Sequence, residues 1–471
     1  MTHQKWTIDA IMTATGGRLV CGSPQQDFAG IAIDSRTITE DQLFVAIAGD
    51  SHDGHRFVGD VLDRGVRGLL VAESQADRLP MDRMIKGRIA CVSVADTTLG
   101  LGALARFNRR RINPRVVAVT GSNGKTSTRM LMELVIGQSF VTLATSGNLN
   151  NHIGLPLTLF RLAANHEAAI LELGMNHVGE IAYLGGICEP DLGVITNVGP
   201  AHLEGLGSID NVARAKGELL ATIRTGGTAI LNADDPRVAA LGEGLDRDVV
   251  YFGIDRRAAV RAEDIRMTAA GVAFTLVTPA GRIPVTLATP ARVMVANALA
   301  AAAAGDILGV PLERIRMGLE RFVPQVGRMG IRSLAHDIRV VDDTYNANPA
   351  SMTAAIATLD HMRGDRRTIA VLGDMLELGS QAEERHRRIG ETVGEHHIDW
   401  LFVTGDYADA VAEGAIAKAM PASRIYRGSK ADVSGALCRQ LADGDLILVK
   451  GSRGMAMETV VTAICRQAQE D

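Results

Sequence analysis

One short segment constrains this 471-residue chain more than any other. The residues Thr120-Gly121-Ser122-Asn123-Gly124-Lys125-Thr126-Ser127 follow an apolar run at 116–119 and precede a helical pattern that extends to residue 136. In such a loop, glycines let the backbone approach phosphates, and the helix N-terminus adds favourable partial charge. We expect Lys125 to contact the β- and γ-phosphates of a nucleotide and the Thr126 hydroxyl to bind Mg²⁺. A glycine turn with no ligand is the alternative interpretation.

The alternation of strand-like and helix-like segments predicts an α/β protein. Apolar runs stand at 116–119, 168–173, 192–195 and 228–231, with helical patterns between the first three. Runs of this kind are typical of strands that are buried on both faces, and their alternation with helices predicts a mostly parallel sheet. Residues 252–287 favour shorter antiparallel strands, and an alanine-rich helix is expected over 293–308.

Two further regions show similar patterning, so three domains are expected at roughly 150 residues each. After residue 327, strands are predicted at 338–341, 367–372, 401–403 and 445–449, each followed by polar residues. Open α/β sheets bind ligands at the carboxyl ends of their strands, so this edge is a candidate site. Before residue 112, strands at 43–47, 68–71 and 89–94 lead to a helix over 99–109. The arginines at 109–111 are expected to form a solvated linker.

Composition and charge argue against several classes of partner. Lys and Arg number 49 against 54 Asp and Glu, a net charge of −5, so we expect no nucleic-acid partner. No run approaches the roughly 18 apolar residues of a membrane helix, and the first residues lack the pattern of a secretory signal. The five cysteines are scattered without a CxxC pair, which favours free thiols in a reducing compartment. We therefore expect a cytoplasmic protein without a membrane span. A monomer is also expected.

Several motifs together resemble those of the Mur ligase family, the ATP-dependent amide ligases of peptidoglycan precursor synthesis. The phosphate loop has the family form T-G-[ST]-N-G-K-T-[ST]. The segment GNLNNHIGLP at 147–156 is similar to that of family members that add the dipeptide D-alanyl-D-alanine. Further matching segments stand at 34–36, 43–46, 342–349, 372–379 and 449–453. The resemblance therefore extends over all three regions of the chain.

The resemblance implies a fold and a reaction. The implied architecture has a small α/β N-terminal domain for the UDP-sugar at 1–112, a central P-loop ATPase domain at 113–325, and a Rossmann-like C-terminal domain for the dipeptide at 326–471. In the implied reaction, ATP phosphorylates the C-terminal carboxylate of UDP-N-acetylmuramoyl-tripeptide. The amine of D-alanyl-D-alanine then attacks the acyl phosphate, giving the amide, ADP and phosphate.

The resemblance also assigns roles to single residues. The implied ligands of Mg²⁺ are Thr126, Glu172, His202 and Lys216, and in several Mur ligases the lysine that matches Lys216 is carbamylated. Arg328 matches an arginine that reaches the γ-phosphate, and it joins Lys125, Glu172, His202 and Lys216 in the implied catalytic set. The residues expected to bind ATP are Gly121, Ser122, Asn123, Gly124, Lys125, Thr126, Ser127, Asn297, Arg328 and Asp343. Those expected to bind the UDP-linked substrate or the dipeptide are Ser35, Arg36, Asn148, Asn151, Asn346, Lys450, Ser452 and Arg453.

Three of these residues have ordinary interpretations without the resemblance. A glutamate at a strand end such as Glu172 is more often solvated or a cap, and a lone histidine such as His202 is more often structural. Mg²⁺ also rarely selects imidazole. Lys216 alone would be taken as an exposed residue of a helix.

One segment departs from the family pattern. The family's G-R-H-N-x-x-N-A-L-A is replaced at 291–300 by ARVMVANALA, with Val293 and Met294 in place of His and Asn. That Asn usually contacts adenine, so base recognition is expected to differ here or to depend on other groups.

Two alternative functions remain open at this point. Another Mur-type or folylpolyglutamate-type ligase would keep the chemistry with a different amine, although the N-terminal motif at 34–36 argues against the folate enzymes. A nucleotide-binding regulator that no longer ligates is the second, and the altered segment at 291–300 is its only support.

Overall fold

The computed structural model describes residues 5–49, 52–201, 203–268 and 271–470, and three of its four sheets each anchor one module of the chain. The predicted α/β class and the Mur ligase architecture are confirmed. Among the described helices, none is both long and apolar enough to cross a bilayer. All five cysteines are free thiols.

The N-terminal module is built on a five-stranded sheet of order β2-β7-β6-β5-β4, parallel except for β2. A two-stranded antiparallel ribbon, β1 and β3, stands beside it. The elements are β1 (Trp6–Thr7), α1 (Ile8–Thr15), β2 (Arg18–Cys21), β3 (Asp27–Phe28), β4 (Gly30–Ala32), β5 (Gln42–Val45), α2 (Val58–Asp63), β6 (Gly68–Ala72), α3 (Met81–Lys86), β7 (Ala90–Val94) and α4 (Thr97–Ile112).

Helix α4 joins the N-terminal and central modules. It begins at Thr97 because the Asp96 carboxylate accepts from the N–H groups of Thr98 and Leu99, and it ends at Ile112, where Asn113 follows in the left-handed conformation. The expectation of a solvated arginine linker at 109–111 is wrong for Arg109, whereas Arg110 is exposed. Helix α4 continues through these arginines, and Arg109 is 1% exposed because its guanidinium donates to the carbonyls of Cys188 and Glu189.

The central module is built on a nine-stranded sheet of order β16-β15-β14-β13-β12-β11-β8-β10-β9. The strands from β9 to β14 are parallel, and β14, β15 and β16 form an antiparallel extension. The elements are β8 (Arg115–Thr120), α5 (Lys125–Ile136), β9 (Thr142–Ala144), α6 (Gly154–Leu159), β10 (Ala168–Glu172), α7 (Glu180–Cys188), β11 (Leu192–Ile195), α8 (Leu203–Leu206), α9 (Ile209–Thr222), β12 (Thr228–Asn232), α10 (Pro236–Ala240), β13 (Asp248–Gly253), β14 (Val260–Thr268), β15 (Gly271–Thr278), β16 (Gly281–Leu287), α11 (Val293–Ile307) and α12 (Leu312–Glu320).

The central strands are apolar because helices cover both faces of the sheet. In β8, side chains from Val116 to Val119 alternate between two cores and are fully buried. Helices α5, α11 and α12 supply the first core, and α4, α6, α7 and α9 supply the second. Because β10 and β11 each pair with β8 in parallel, the loops that follow these three strands meet at one edge of the sheet.

The C-terminal module has a six-stranded sheet of order β17-β18-β22-β19-β20-β21, parallel except for the edge strand β17. Its polar loops at the carboxyl ends of β18, β19 and β22 lie together. The elements are β17 (Gly330–Ser333), β18 (Arg339–Asp343), α13 (Pro349–His361), β19 (Thr368–Leu372), α14 (Ala382–Glu395), β20 (Trp400–Val403), α15 (Ala408–Ala417), β21 (Ile425–Arg427), α16 (Lys430–Cys438), β22 (Leu446–Lys450) and α17 (Glu458–Glu470).

Candidate active site at the phosphate loop

The phosphate loop connects β8 to α5, and its two glycines are required by its shape. Gly121 has φ +153°, and a Cβ there would lie 1.9 Å from Thr196 Oγ1. Gly124 has φ +79°, and a Cβ there would lie 2.5 Å from Asn297 Oδ1. Both positions therefore exclude a side chain. Helix α5 has no side-chain cap at its first turn, so the backbone donors there remain open to an anion.

Residues that follow β11 hold the loop in place. The N–H of Asn123 donates to Asn197 Oδ1 over 2.8 Å, and the Thr196 hydroxyl donates to the Asn123 carbonyl over 2.7 Å. The hydroxyl of Ser122 donates to the Gly199 carbonyl over 3.1 Å. Hydrogen bonds within the protein therefore fix the shape of the loop. The open donors at the start of α5, which include Thr126 and Ser127, need no rearrangement to meet a phosphate.

Two lysines and an arginine concentrate positive charge at this loop. Lys125 Nζ donates to the Gly121 carbonyl over 2.8 Å. Burial lowers the pKa of Lys125, the nearby Glu172 opposes that shift, and Arg328 adds to it. Lys216, on α9, is 1% exposed, so the sequence interpretation of an exposed helix residue is wrong. Burial, and then Lys125, hold the pKa of Lys216 well below its usual range.

Glu172 is a buried carboxylate with one oxygen free. It is the last residue of β10 and is 3% exposed. Its Oε1 accepts from the side-chain amide of Asn150 over 2.9 Å, and its backbone N–H donates to the Thr145 hydroxyl. Its Oε2 is buried without a hydrogen-bond partner among the described residues. A carboxylate oxygen in that state fits a hard cation, and the buried Thr126 belongs to the same site.

The implied magnesium ligands are only partly described. His202 lies outside the described residues. Within the described ranges, no three His, Cys, Asp or Glu side chains cluster so that they could hold a metal ion. Glu172 is the one glutamate or aspartate of the implied set, and Mg²⁺ usually keeps waters and phosphate oxygens as its other ligands.

Arg328 follows α12 and reaches the site from the start of the C-terminal module. Its guanidinium lies 3.9 Å from the centre of the Tyr345 ring, and its Nε is buried without a partner among the described residues. Gly327, at φ +76°, allows the turn that brings the chain there, and the Tyr345 N–H donates to the Gly327 carbonyl. The planar guanidinium of Arg328 therefore stacks on the Tyr345 ring, and its N–H donors remain available to an anion.

The loop 343–348, which begins at the last residue of β18, presents another part of the implied site. Asp343 Oδ2 accepts from Lys450 Nζ over 2.5 Å, and its Oδ1 accepts from the Met329 N–H. Lys450 is 2% exposed and also donates to the carbonyl of Asn346 over 2.9 Å. The buried Ser452 donates to the Ala347 carbonyl. Asp343, Asn346, Lys450 and Ser452 are thus brought together in one network.

The remaining implied residues lie in separate local settings. Arg36 makes a two-pronged ion pair with Asp34, 2.9 and 2.8 Å, which lowers the pKa of Asp34 to about 2, and Ser35 lies between them. Asn148 is exposed, whereas the carbonyl oxygen of the Asn151 side chain accepts from the Gly154 N–H at the start of α6. The remaining one, Arg453, donates to Glu458 and lies 5.9 Å from the Tyr345 ring.

Asn297 is placed by the residue that departs from the family pattern. The side-chain amide of Asn297 donates to the Met294 sulfur over 3.4 Å, and its Oδ1 faces Gly124. Met294 is 5% exposed, whereas Val293 is 47% exposed. Met294 therefore orients Asn297 against the phosphate loop.

Three residues at the site were missed by the sequence analysis. Asn150 binds Glu172, Tyr345 stacks on Arg328, and Asn348 binds the phosphate loop. Asn150 is adjacent to Asn151, and Asn348 lies two residues from Asn346. Both of these neighbours were predicted from the sequence to bind substrate. The amide-rich motifs were the signal, but which amide turns inward depends on backbone geometry.

A phosphate loop on a parallel sheet, facing the carboxyl edge of a second α/β sheet, defines a P-loop nucleotide-dependent enzyme of multidomain architecture. Three family descriptions match the chain: "Mur ligase family, catalytic domain" at 27–108, "Mur ligase middle domain" at 119–305, and "Mur ligase, glutamate ligase domain" at 327–453. The chain belongs to the Mur ligase family, as the sequence motifs indicated.

Individual relatives resemble the chain over nearly its whole length. UDP-N-acetylmuramoyl-tripeptide–D-alanyl-D-alanine ligase of Escherichia coli is 38% identical over 92% of this chain and 93% of its own length. A crystal structure of MurF from Acinetobacter baumannii is 33% identical and superposes with a TM-score of 0.90 over 99% of this chain and 100% of its own. The crystal structure of MurF ligase from Thermotoga maritima in complex with ADP is 25% identical, with a TM-score of 0.83 over 94% of this chain and 98% of its own.

Proposed function

We propose that this chain is an ATP-dependent ligase that joins D-alanyl-D-alanine to UDP-N-acetylmuramoyl-tripeptide in peptidoglycan precursor synthesis. The observation that carries the proposal is the meeting of Lys125, Lys216 and Arg328 beside the buried carboxylate of Glu172 at the phosphate loop. The whole-length relatives of E. coli and A. baumannii support the choice of substrates.

The chemistry begins with activation of a poor electrophile. A carboxylate oxygen of the tripeptide attacks the γ-phosphorus of ATP, the bond to the β-phosphate oxygen breaks, and ADP leaves. The dipeptide amine then attacks the acyl carbon and loses a proton, and the carbon–oxygen bond breaks to release phosphate. Lys125 and Arg328 neutralise the charge on the transferring group, and the prebuilt loop positions it, the two effects that carry most of phosphoryl transfer.

The free carboxylate oxygen of Glu172 is suited to Mg²⁺. Thr126, Glu172, His202 and Lys216 would hold the ion, which would neutralise charge on the phosphates. Lys216 would take part as a carbamate. Its lowered pKa favours the neutral amine, whose nitrogen bonds the carbon of CO₂ and releases a proton, so that a buried neutral group becomes an anion. The carbamate would place negative charge near Lys125, which repels the protonated form of Lys216.

We propose that ATP contacts the backbone from Gly121 to Ser127, with Arg328 at the γ-phosphate. Asp343 would bind the ribose while it keeps its ion pair with Lys450. Asn297, oriented by Met294, would lie beside the nucleotide and stand in for the adenine contact that the family's Asn makes.

The same proposal divides the chain by substrate. Residues 1–112 would bind the UDP-sugar through Ser35 and Arg36, residues 113–325 would bind ATP, and residues 326–471 would bind the dipeptide. Asn148 and Asn151 would contact the tripeptide-bearing substrate at the central module. The dipeptide would meet Asn346, Lys450, Ser452 and Arg453, and the enzyme would work as a cytoplasmic monomer.

Phosphate release from ATP tests the proposal. The enzyme is incubated with UDP-N-acetylmuramoyl-tripeptide and, in turn, D-alanyl-D-alanine, single amino acids and glutamate, with Lys125→Ala as the control for contaminating ATPase. We expect release that requires both the tripeptide and the dipeptide and is lost in the Lys125 variant. Turnover with a single amino acid or glutamate would instead support another Mur-type or folate-type ligase. Nucleotide binding without turnover for any pair would support a regulator.

A further inference from the structure

Asn348 connects the C-terminal module to the phosphate loop. Its side-chain Nδ2 donates to Oδ1 of Asn123 over 2.7 Å, although the two residues lie 225 positions apart. Asn348 precedes α13 in the C-terminal module, and Asn123 lies in the nucleotide loop of the central module. The bond therefore spans the two modules that must approach each other for the dipeptide to reach an acyl phosphate.

Each asparagine is held by groups other than those that form this bond. The backbone N–H and carbonyl of Asn123 are occupied by Asn197 and Thr196, which leaves its side chain to face outward. The Oδ1 of Asn348 accepts from the Ser351 N–H over 3.0 Å, and the Ser351 hydroxyl accepts from the Asn348 N–H in a capping box. Asn348 thus caps α13 with its oxygen and holds the phosphate loop with its nitrogen.

The other end of the loop 343–348 is fixed by residues proposed to bind the dipeptide. Lys450 binds the Asp343 carboxylate and the Asn346 carbonyl, and Ser452 binds the Ala347 carbonyl. Hydrogen bonds from Lys450 and Ser452 therefore fix the backbone at 346–347, which is joined by a peptide bond to Asn348 and through its side chain to Asn123. A chain of bonded groups with fixed partners can transmit the position of one module to the other.

We propose that Asn348 is a positioning residue for the ligation step, one that holds the C-terminal module against the nucleotide loop through Asn123. This inference rests on the proposed function for its reaction but concerns a contact that needs no dipeptide to form. Asn348 acts on the reaction only by fixing the geometry between the modules.

The Asn348→Ser variant should keep the helix cap and lose the bond to Asn123. Serine caps a helix about as effectively as asparagine, but its side chain is too short to reach Asn123. Loss of one hydrogen bond of ordinary strength predicts that kcat falls about tenfold, whereas the affinity of the enzyme for ATP alone changes less than about twofold. Ser351→Ala is the matched control, since it removes half of the capping box and leaves the bond to Asn123.

A double-mutant cycle isolates the pair. Asn123→Ala combined with Asn348→Ser is expected to be no slower than the more damaging single variant, because either change removes the same bond. Equal loss in Ser351→Ala, additive effects in the double variant, or a kcat for Asn348→Ser within about twofold of the unaltered enzyme would each overturn the proposal.

Small-angle scattering tests the contact without the ligation reaction. With Mg²⁺ and a non-hydrolysable ATP analogue, the unaltered chain is expected to have a smaller radius of gyration than Asn348→Ser, and equal radii would overturn the proposal. Turnover of the unaltered enzyme with D-alanyl-D-alanine is measured in the same set of experiments as the scattering. Absent turnover with the expected scattering difference would refute the proposed function and leave the contact standing.

Discussion

Asn150 donates its side-chain amide to Oε1 of Glu172 over 2.9 Å, and this bond determines which carboxylate oxygen remains for a ligand. The other oxygen, Oε2, is buried without a partner among the described residues. A buried acceptor in that state costs free energy until a cation or donor satisfies it. Asn150 therefore orients the carboxylate for the magnesium site proposed above.

Truncation of Asn150 should weaken magnesium use more than catalysis at saturation. In Asn150→Ala the Glu172 carboxylate is free to rotate, and loss of one such outer contact typically costs about tenfold or more in metal affinity. We expect the Mg²⁺ concentration for half-maximal rate to rise by that factor, measured by magnesium titration of phosphate release. An unchanged midpoint would show that Glu172 does not depend on Asn150.

Two substitutions of Lys216 should show whether activity requires a positive charge at this position or the proposed carbamate. Lys216→Ala should lower kcat by about a hundredfold or more, the usual effect of removing one charge-stabilising group. Acetate or formate should restore part of that rate in Lys216→Ala, because a small carboxylate can replace the carbamate. Lys216→Arg keeps a cation and cannot be carbamylated, so it should remain inactive. Full activity in the arginine variant would contradict the carbamate.

An ion-pair cluster between the N-terminal and central modules should make the free energy of unfolding depend on pH in the acid range. Arg106 and Arg110, on α4, donate to the Glu189 carboxylate and lower its pKa from 4.5 to about 2. Since the folded-state pKa is the lower one, the stabilisation is fully present above pH 4.5 and is lost as the pH falls toward 2. The arginines are 46% and 57% exposed, so we expect a contribution of only about 1 kcal/mol.

Denaturant unfolding of Glu189→Gln between pH 7 and pH 3 measures this contribution. The variant should be less stable than the unaltered chain at pH 7, and the difference should shrink as the pH falls. Glu243→Gln, at an exposed glutamate, is the control and should show little difference at any pH. A difference for Glu189→Gln that is constant with pH would contradict the assignment.

The fold was largely predictable because its strands are continuous apolar runs. The structure places β11 at Leu192–Ile195 as predicted, and β8 and β10 lie within one residue of their predicted ends. The predicted Mur ligase family and the α/β class are confirmed. Arg109 was misjudged because its charge indicates solvent, whereas the carbonyls that accept from it belong to residues far along the chain.

The site was predictable where function depends on a local motif and not where it depends on tertiary contacts. The glycines at 121 and 124 follow from the loop itself, and the structure confirms that neither position admits a side chain. The burial of Lys216 and the inward turn of Asn150 depend on neighbours from other elements, which no spacing reveals. The roles assigned to single residues in binding substrates and Mg²⁺ remain predictions.

The fate of the substrate carboxylate oxygens tests the central claim most directly. The tripeptide is labelled with ¹⁸O in its C-terminal carboxylate, and the phosphate and peptide products are analysed by mass spectrometry after turnover with ATP and D-alanyl-D-alanine. An acyl phosphate route transfers one labelled oxygen to phosphate for each amide formed. Unlabelled phosphate, or phosphate release without the UDP-linked pentapeptide product, would contradict ligation through an acyl phosphate.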